Sequence, residues 1–348
     1  MINPAKTVST GYHYHSKKRA IRLAALVFLT GLLMTANLFS GSRTIDASTT
    51  LSAIFQFDAN NSQHLLVHYL RLPRIFLGLI TGLSLGIAGT FIQALTRNPL
   101  ADPGILGIHA GATTAIVIAI ALLGIHNTGQ YLWFGMIGAA LSGGLVYTLT
   151  HNKNSASFNP IKFVLSGAAI SAVLLAIAHI IIINSENAVF DQFRHWTVGS
   201  LQGRGFNVLI PCTIGLITFI LPSLFIGRTL NVLSLGPESA RSMGINLKII
   251  TVTVAFIIIA ISGLTTAAIG PVSFIGLAAP HIARTIAGPD YRWIIPYSAI
   301  IGALMLICAD LLGKWVGYPG EVSAGIMASL LGGPFFLFLI RKWRISQL

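Results

Sequence analysis

Residues 75–95 read IFLGLITGLSLGIAGTFIQAL, a stretch of twenty-one residues that contains no charged side chain. A helix needs about 20 apolar residues to cross the ~30 Å hydrocarbon core of a bilayer, so this stretch is long enough to span a membrane. Gly78, Gly82 and Gly86 recur at every fourth position and therefore lie on one face of the helix. Because small residues let helix backbones approach closely in lipid, the stretch predicts a transmembrane helix that packs tightly within a bundle.

The composition of the whole chain is that of a membrane protein. Of its 348 residues, 54% are hydrophobic and only 9% are charged, whereas soluble globular domains carry roughly 25% charged residues. The sequence predicts an all-α fold, a polytopic membrane protein with about ten transmembrane helices. The predicted helices cover residues 20–39, 75–95, 105–124, 131–150, 161–184, 207–226, 248–269, 272–288, 293–313 and 324–341.

The positive charges predict the orientation of the chain. There are 22 Lys and Arg residues against 9 Asp and Glu residues, a formal charge of +13. With an even number of spans both termini lie on one side, and that side carries sixteen of the 22 basic residues. Because cytoplasmic loops are enriched in Lys and Arg, both termini are predicted to be cytoplasmic. The basic excess therefore reflects topology, and no nucleic-acid partner is expected.

The predicted spans also divide the chain. Residues 1–19 form a cytoplasmic N-terminal tail, residues 20–341 a ten-helix membrane domain, and residues 342–348 a cytoplasmic tail. Within the membrane domain, residues 227–247 form a cytoplasmic segment between two spans. No length remains for a soluble domain that would bind nucleotide, so an energy source must be another polypeptide or an ion gradient.

Several common kinds of site are not predicted. The pair Gly313-Lys314 is followed by Trp315 and lacks the earlier glycine that a phosphate-binding loop requires. The two cysteines stand apart within apolar runs, so neither a disulfide nor a zinc site is indicated. His64 and His68 share one helix face, but no carboxylate or Cys accompanies them as a metal ligand. The sequence therefore predicts no cofactor and no metal centre.

Two arginines on the predicted outer side depart from the positive-inside trend. They form the sequence Arg71-Leu72-Pro73-Arg74 at the start of the second span. One interpretation is a local function such as gripping an acidic partner. The other is interfacial snorkelling, in which long basic side chains reach the membrane surface.

The segment from Gly89 to Gly111 ends one span, turns at Asn98-Pro99 and Asp102-Pro103-Gly104, and begins the next. Gln93 lies inside the first span and His109 near the start of the second. Each polar side chain either lines a pathway or forms a hydrogen bond between helices.

The cytoplasmic segment contains a short predicted helix. It begins near Pro237, where proline suits the first turn, and Gly244 stands just past its end. The helix is either a docking element for a partner or an ordinary connector. Pro280-His281 and Arg284 lie in a later apolar run. A His or Arg within a span suggests function, although Arg284 is close enough to the cytoplasmic end to snorkel.

Taken in order, these segments resemble the permease family of bacterial ATP-binding-cassette importers for iron-siderophore complexes, haem and cobalamin. The resemblance runs from Arg71 to about Phe336. The motifs that carry it are RLPR (71–74), RNPLADPGILG (97–107), Trp196 with Gly199-Ser200, LGPESARSMG (235–244), GPVSFIGLAAPHIAR (270–284), GPDYR (288–292) and Ala309-Asp310.

The resemblance implies an assembly and a set of site residues. The chain would pair with a second permease subunit, identical or similar, and with two ATPase subunits and an extracytoplasmic substrate-binding protein. It would catalyse no bond chemistry itself. The implied residues are Arg71, Arg74 and Lys314 for docking of the binding protein, Leu235, Gly236, Glu238, Ala240 and Gly244 for coupling to the ATPase, and Asn98, Pro99, Leu100 and Asp102 for the cytoplasmic gate.

Two departures from the family pattern concern the outer side. Lys314 stands where the family usually has Arg, which keeps the charge but loses the planar fork that binds carboxylates bidentately. Glu321-Val322-Ser323 stands where a proline usually follows the Glu and one further residue. Neither changes the family resemblance.

The function expected from the resemblance is import of an iron-siderophore-type chelate across the cell membrane. Haem or cobalamin import by the same class of transporter is the alternative. A gradient-driven transporter is a further alternative, although the spans have almost no acidic residues at mid-membrane depth. An intramembrane enzyme is disfavoured because His281 has no Glu, Asp or Cys near it in its span.

Overall fold

The computed structural model describes residues 4–125, 127–150 and 159–342, and the described residues form helices and their connections, with no β-strand. The all-α fold predicted from the sequence is therefore confirmed. The helices are α1 (Pro4–Phe39), α2 (Ala47–Phe55), α3 (Ser62–Leu66), α4 (Leu72–Thr96), α5 (Ile108–Ala121), α6 (Thr128–Thr150), α7 (Pro160–Ile183), α8 (Asn187–Thr197), α9 (Phe206–Phe225), α10 (Gly227–Ser234), α11 (Pro237–Ser242), α12 (Leu247–Ile269), α13 (Ile275–Ala287), α14 (Tyr291–Val316) and α15 (Ala324–Lys342).

Each of the ten predicted apolar segments coincides with one of these helices. Within the described residues, seven helices are long and apolar enough to cross a membrane, and α5 and the Ala324–Leu337 part of α15 are shorter apolar stretches. The predicted segment 272–288 contains only the 13 residues of α13, which at 1.5 Å per residue extend for about 20 Å. The chain is a multi-pass membrane protein. The count of ten crossings and the side on which the termini lie stay predictions.

The two predicted tails are described to different extents. α1 begins at Pro4, so the predicted N-terminal tail continues as the same helix that enters the first span. Of the predicted C-terminal tail 342–348, only Lys342 lies within the described residues, at the end of α15.

The helix α4 lies at the centre of the bundle and packs most extensively on α14. Its glycines make this possible, because a side chain on Gly82 would fall 2.5 Å from the Ala303 Cα atom of α14. A side chain on Gly86 would overlap the Ser298 carbonyl. The glycine face read from the sequence is therefore a close helix contact, as predicted. By contrast, α1 lies at the edge of the bundle, and from Ser16 to Phe39 most of its side chains are exposed.

Three interruptions of helical structure meet at one place. The chain leaves α12 at Gly270 and enters α13 at Ile275, while α8 ends at Thr197 and α15 begins at Ala324. The Ser200 N–H donates to the Ile269 carbonyl at 2.7 Å, and the Gly325 N–H donates to the Gly199 carbonyl at 2.8 Å. We call residues 197–200, 270–274 and 324–326 the junction.

The segment before α4 contains short helices that the sequence did not predict. α2 and α3 are nine and five residues long, too short for their periodicity to stand out. His64 lies among them, with its Nδ1 atom accepting from the Asp58 N–H at 3.1 Å and its Nε2 atom 3.0 Å from the Ser52 hydroxyl. His68 instead packs on the ring of Phe57, with centroids 4.7 Å apart. The two histidines therefore have separate structural surroundings.

Candidate functional site

Arg71, Arg74 and Lys314 come together at one end of the bundle, where α4 begins and α14 ends. Their exposed fractions are only 9%, 9% and 5%. Two carboxylates, Asp310 and Glu321, lie among them. We call these five residues the outer cluster. This burial argues against the snorkelling interpretation, because snorkelling side chains would extend their charged groups into water.

Arg74 is held by both carboxylates of the outer cluster. Its Nε and Nη2 atoms donate to the Asp310 carboxylate at 3.0 and 2.7 Å, and its Nη1 atom donates to Glu321 Oε2 at 2.5 Å. A guanidinium that binds one carboxylate through two N–H groups forms one of the stronger ion pairs in proteins. Arg74 therefore joins α4 to α14 and to the loop that precedes α15.

Lys314 and Arg71 connect the outer cluster to the end of α1. The Lys314 ammonium donates to the side chain of Asn37 and to its carbonyl, the latter at 3.2 Å, and lies 3.6 Å from Asp310. Arg71 donates to the Leu38 carbonyl at 2.9 Å and to the Arg43 carbonyl at 2.5 Å. Arg71 differs from Arg74 and Lys314 because its hydrogen bonds go to backbone carbonyls, whereas those two cations also lie within ion-pair distance of a carboxylate.

The predicted gate turn is stabilised by side chains that bind its own backbone. Asn98 Oδ1 accepts from the Leu100 N–H at 2.9 Å, and Asp102 Oδ1 accepts from the Gly104 N–H at 2.8 Å. Pro99 follows Asn98 in the turn, and the Leu100 side chain is 43% exposed. Burial raises the pKa of Asp102 to about 6, although the hydrogen bond from Gly104 acts in the opposite direction.

Gln93 binds the gate turn to the helix that follows the junction. Its Nε2 atom donates to the Ala101 carbonyl at 3.3 Å and to the Leu277 carbonyl of α13 at 3.2 Å. Its Oε1 atom accepts from Arg284 Nη1 at 2.6 Å. In the same way His109 Nδ1 lies 2.7 Å from the Thr266 hydroxyl of α12. Gln93 and His109 therefore both form hydrogen bonds between helices, which is one of the two alternatives left open by the sequence.

The segment 227–247, for which a cytoplasmic position stays a prediction, has the predicted short helix. α11 begins at Pro237, with Gly236 before it, and Gly244 follows its end with a φ of 79°, a left-handed conformation that suits glycine. Ala240 is fully buried, whereas Glu238 is exposed and Leu235 is 66% exposed. The exposed Leu235 before α11 and the exposed Glu238 within it therefore form an apolar and acidic surface, while Ala240 anchors α11.

The helix α10 links α11 to the rest of the bundle. The Asn231 side chain donates to Asp290 at 2.7 Å and accepts from the Tyr291 N–H at 2.8 Å, which fixes α10 against the start of α14. Arg97, the residue before the gate turn, donates to the Leu233 carbonyl at 3.3 Å. The gate turn and the segment that holds α11 are therefore in direct contact.

An open cleft lies beside the junction. Its volume is about 520 Å³, and its lining combines apolar side chains with three hydroxyl groups. The hydroxyls of Thr197 and Ser329 donate to helix carbonyls at 2.9 Å, which leaves their lone pairs as acceptors toward the cleft. The lining residues are Thr197, Val198, Pro271, Ser273, Gly325, Ile326, Ser329 and Leu330.

The described residues contain no group of three His, Cys, Asp or Glu side chains that could hold a metal ion. The described part of the chain thus combines a bundle of apolar helices with a buried ion cluster at one end and an exposed short helix elsewhere. The sequence profile of the FecCD transport family matches residues 28–342. The chain belongs to the FecCD transport family.

Relatives within the FecCD transport family are similar to this chain over nearly its whole length. The Fe(3+)-citrate import system permease protein YfmD of Bacillus subtilis (strain 168) is 34% identical and matches 95% of this chain and 99% of its own. The ferric enterobactin transport system permease protein FepD of Escherichia coli (strain K12) is 35% identical, over 93% of this chain and 96% of its own. The hemin transport system permease protein HmuU of Yersinia pestis is 33% identical, over 90% and 94%.

A solved structure shares the fold. It is described as an inward-facing conformation of a metal-chelate type ABC transporter, and it superimposes with a TM-score of 0.81 over 93% of this chain and 100% of its own. Its sequence is 22% identical. The bundle described above is therefore the fold of this class of membrane subunit.

The sequence singled out Asp310 and Glu321 but did not identify their partner. The two acids lie 236 and 247 residues from Arg74, so only the packing of α14 on α4 brings them together. The roles predicted for the docking, coupling and gate residues stay predictions. The sequence analysis gave no role to Arg97 or Asn231. The one signal for Arg97 was its position directly before the Asn-Pro turn, as the first residue of the motif RNPLADPGILG.

Proposed function

We propose that this FecCD-family permease moves an iron chelate of siderophore type into the cytoplasm as the membrane-spanning part of an ATP-binding-cassette importer. The similarity to permeases named for iron citrate and ferric enterobactin, along nearly the whole chain, supports this substrate class. Haem is the second candidate, because the hemin permease is similar to almost the same degree. Cobalamin stays the further alternative within the same class of importer.

ATP hydrolysis is proposed to take place on two separate ATPase subunits. The described residues and the remaining sequence contain no phosphate-binding loop. The exposed side chains of Leu235, just before α11, and of Glu238, within it, support docking of an ATPase there. The hydrogen bond from Arg97 to the Leu233 carbonyl supports transmission of a movement at α11 to the gate turn. This contact is the observation on which the coupling proposal depends.

The remaining partners are a second permease subunit, identical or similar, and an extracytoplasmic binding protein. The binding protein is proposed to dock at the outer cluster, where positive charge attracts acidic side chains. The distribution of Lys and Arg predicts that both termini are cytoplasmic, which supports a position of α11 on the ATPase side and of the outer cluster on the opposite side.

Copurification and uptake test the proposed function. A tagged chain is expected to bring an ATPase and a binding protein with it, and the assembly in liposomes is expected to accumulate radioactive iron as a chelate only when ATP is supplied. Competition by unlabelled haem or cobalamin separates the substrate alternatives. Uptake by the chain alone, driven by a proton gradient without ATP, would show that the chain is a secondary transporter.

A further inference from the structure

The outer cluster holds more positive than negative charge. Three buried cations, Arg71, Arg74 and Lys314, meet two carboxylates, Asp310 and Glu321, within the described part of the chain. The cluster therefore carries a net positive charge, which attracts a carboxylate from outside. We propose that the outer cluster is a carboxylate-exchange site, in which Glu321 holds the place that an external carboxylate takes when a partner docks. This inference rests on the proposed function, which supplies the docking partner.

The two carboxylates hold Arg74 in different ways. Asp310 lies on α14 and binds the Nε and Nη2 side of the guanidinium, while it also accepts from Asn37 Nδ2 at 3.1 Å. Glu321 binds only Nη1, with its side chain 7% exposed. Asp310 is therefore fixed by a helix and by several donors. Glu321 is the carboxylate that can leave while Arg74 keeps its position.

The loop that carries Glu321 is exposed in its first half. Residues 317–320 follow the end of α14 and are partly or fully exposed, with Tyr318 63% exposed. The second half is held by the Glu321 ion pair, by the Val322 N–H, which donates to the Gly313 carbonyl at 3.0 Å, and by the Val322 side chain, which packs against the core. Segments with few buried contacts open at low free-energy cost. A competing carboxylate at Arg74 would therefore release this loop rather than disrupt the helix bundle.

Release of the loop would affect residues that line the cleft, because the two are close in the sequence. Glu321 stands three residues before Ala324, the first residue of α15, and Gly325 and Ile326 line the cleft. The Gly325 N–H donates to the Gly199 carbonyl across the junction. Exchange of Glu321 for an external carboxylate thus connects docking on the outer side to the wall of the cleft.

Thiol labelling tests whether Glu321 holds the loop. In the transporter assembled with its copurifying subunits, Cys212 and Cys308 are replaced by Ala, and Ala324→Cys introduces a thiol at a position that is 2% exposed. A membrane-impermeant maleimide is applied from the outer side. Loss of a hydrogen-bonded charge in Glu321→Gln is expected to accelerate labelling roughly tenfold. If Ala324→Cys were labelled at the same rate with and without the Glu321→Gln substitution, the proposal would be overturned.

Two controls keep this result specific. Asp191→Asn removes an exposed carboxylate elsewhere and is expected to leave the labelling rate of Ala324→Cys unchanged. A thiol at Ala178→Cys, fully buried in α7, is expected to stay unlabelled in Glu321→Gln. Labelling of both positions would indicate general unfolding and would contradict a local release.

Affinity for the copurified binding protein tests the exchange itself. Without its internal competitor, the Glu321→Gln transporter is expected to bind that protein roughly tenfold more tightly than the unmodified transporter. Faster labelling combined with unchanged affinity would overturn the exchange. If no binding protein copurifies, the proposed function fails, whereas the labelling rates still decide whether Glu321 holds the loop.

Discussion

Arg74 on α4 and Asp310 on α14 are 236 residues apart in the sequence and are joined by two hydrogen bonds, from Nε at 3.0 Å and from Nη2 at 2.7 Å. Both side chains are almost fully buried. Burial of an ion pair costs desolvation energy, and the removal of one partner leaves an uncompensated charge. This pair is therefore a point at which the closely packed helices α4 and α14 depend on each other.

Removal of the Arg74 side chain should destabilise the outer end of the bundle. In Arg74→Ala, Glu321 loses its hydrogen-bonded partner, while Asp310 loses its arginine and keeps Lys314 and Asn37. Breaking a buried pair in this way costs about 3–5 kcal/mol. A clearly lower apparent melting temperature in detergent is expected, together with loss of uptake. Arg194→Ala removes an exposed arginine that pairs with Asp191 at 3.3 Å, and should change stability by no more than about 1 kcal/mol. Equal melting temperatures for the two variants would contradict the structural role of Arg74.

Charge reversal on α11 should separate docking of the ATPase from folding. Glu238 is exposed, so Glu238→Lys is expected to reach the membrane in normal amounts while copurification of the ATPase and uptake are lost. Asp191→Lys, an equal charge change at an exposed position on α8, serves as the control and should retain the ATPase. Normal ATPase binding by Glu238→Lys would remove the basis for placing the docking surface on α11.

Arg97 should matter for coupling rather than for assembly. Its backbone has a left-handed φ of 52°, so Arg97→Gly removes the side chain without adding backbone strain. Because the bond to the Leu233 carbonyl is lost, ATPase binding is expected to persist while transport per ATP hydrolysed falls several-fold. Asn231→Ala, which frees the same helix from Asp290, should act in the same direction. A normal ratio of transport to hydrolysis in Arg97→Gly would exclude this route.

The gate turn should show a pH dependence that originates from Asp102. Burial raises its pKa from 3.8 to about 6, so the protonated carboxyl contributes stability that is complete below pH 3.8 and is lost as the pH rises through about 6. Asp102→Asn keeps the acceptor for the Gly104 N–H. It should therefore melt at a higher temperature than the unmodified chain at pH 8, with a difference that narrows below pH 6.

For Asp290 the pKa shift, and therefore the expected change in melting temperature, has the opposite sign. Burial would raise its pKa, but hydrogen bonds from Arg292 and Asn231 outweigh that effect and hold the pKa at about 2. Its contribution to stability is present above pH 3.8 and is lost as the pH falls through about 2. Asp290→Asn is thus expected to lower the melting temperature at pH 8. The same direction of change in both variants would contradict these assignments.

Site-directed labelling should establish the orientation that the positive charges predict. A cysteine at Ser242, exposed after the start of α11, is expected to react only from the cytoplasm, and one at Leu123, exposed between α5 and α6, only from outside. The chain without Cys212 and Cys308 provides the background. The reverse pattern would invert the topology and, with it, the sides proposed for the ATPase and the binding protein.

The sequence alone determined the long apolar helices and the family of this protein. Apolar runs of about 20 residues fix long helices because a bilayer leaves no other partner for backbone N–H and C=O groups. The spacing of Gly78, Gly82 and Gly86 indicated a close helix contact, since only glycine leaves room for a neighbouring backbone. Pro237 and Gly244 delimited α11 because both act through local backbone geometry.

Only the tertiary structure decided how the polar residues are used. Arg71, Arg74 and Lys314 read as cations on an outer surface, but the meeting of three helix ends buries them against acceptors from distant parts of the chain. Gln93 had two open interpretations until α13 and the gate turn supplied its partners. Helix formation follows from local hydrophobicity. The pairing of a buried charge depends instead on which distant segment packs against it, and the residues next to that charge in the sequence do not specify that segment.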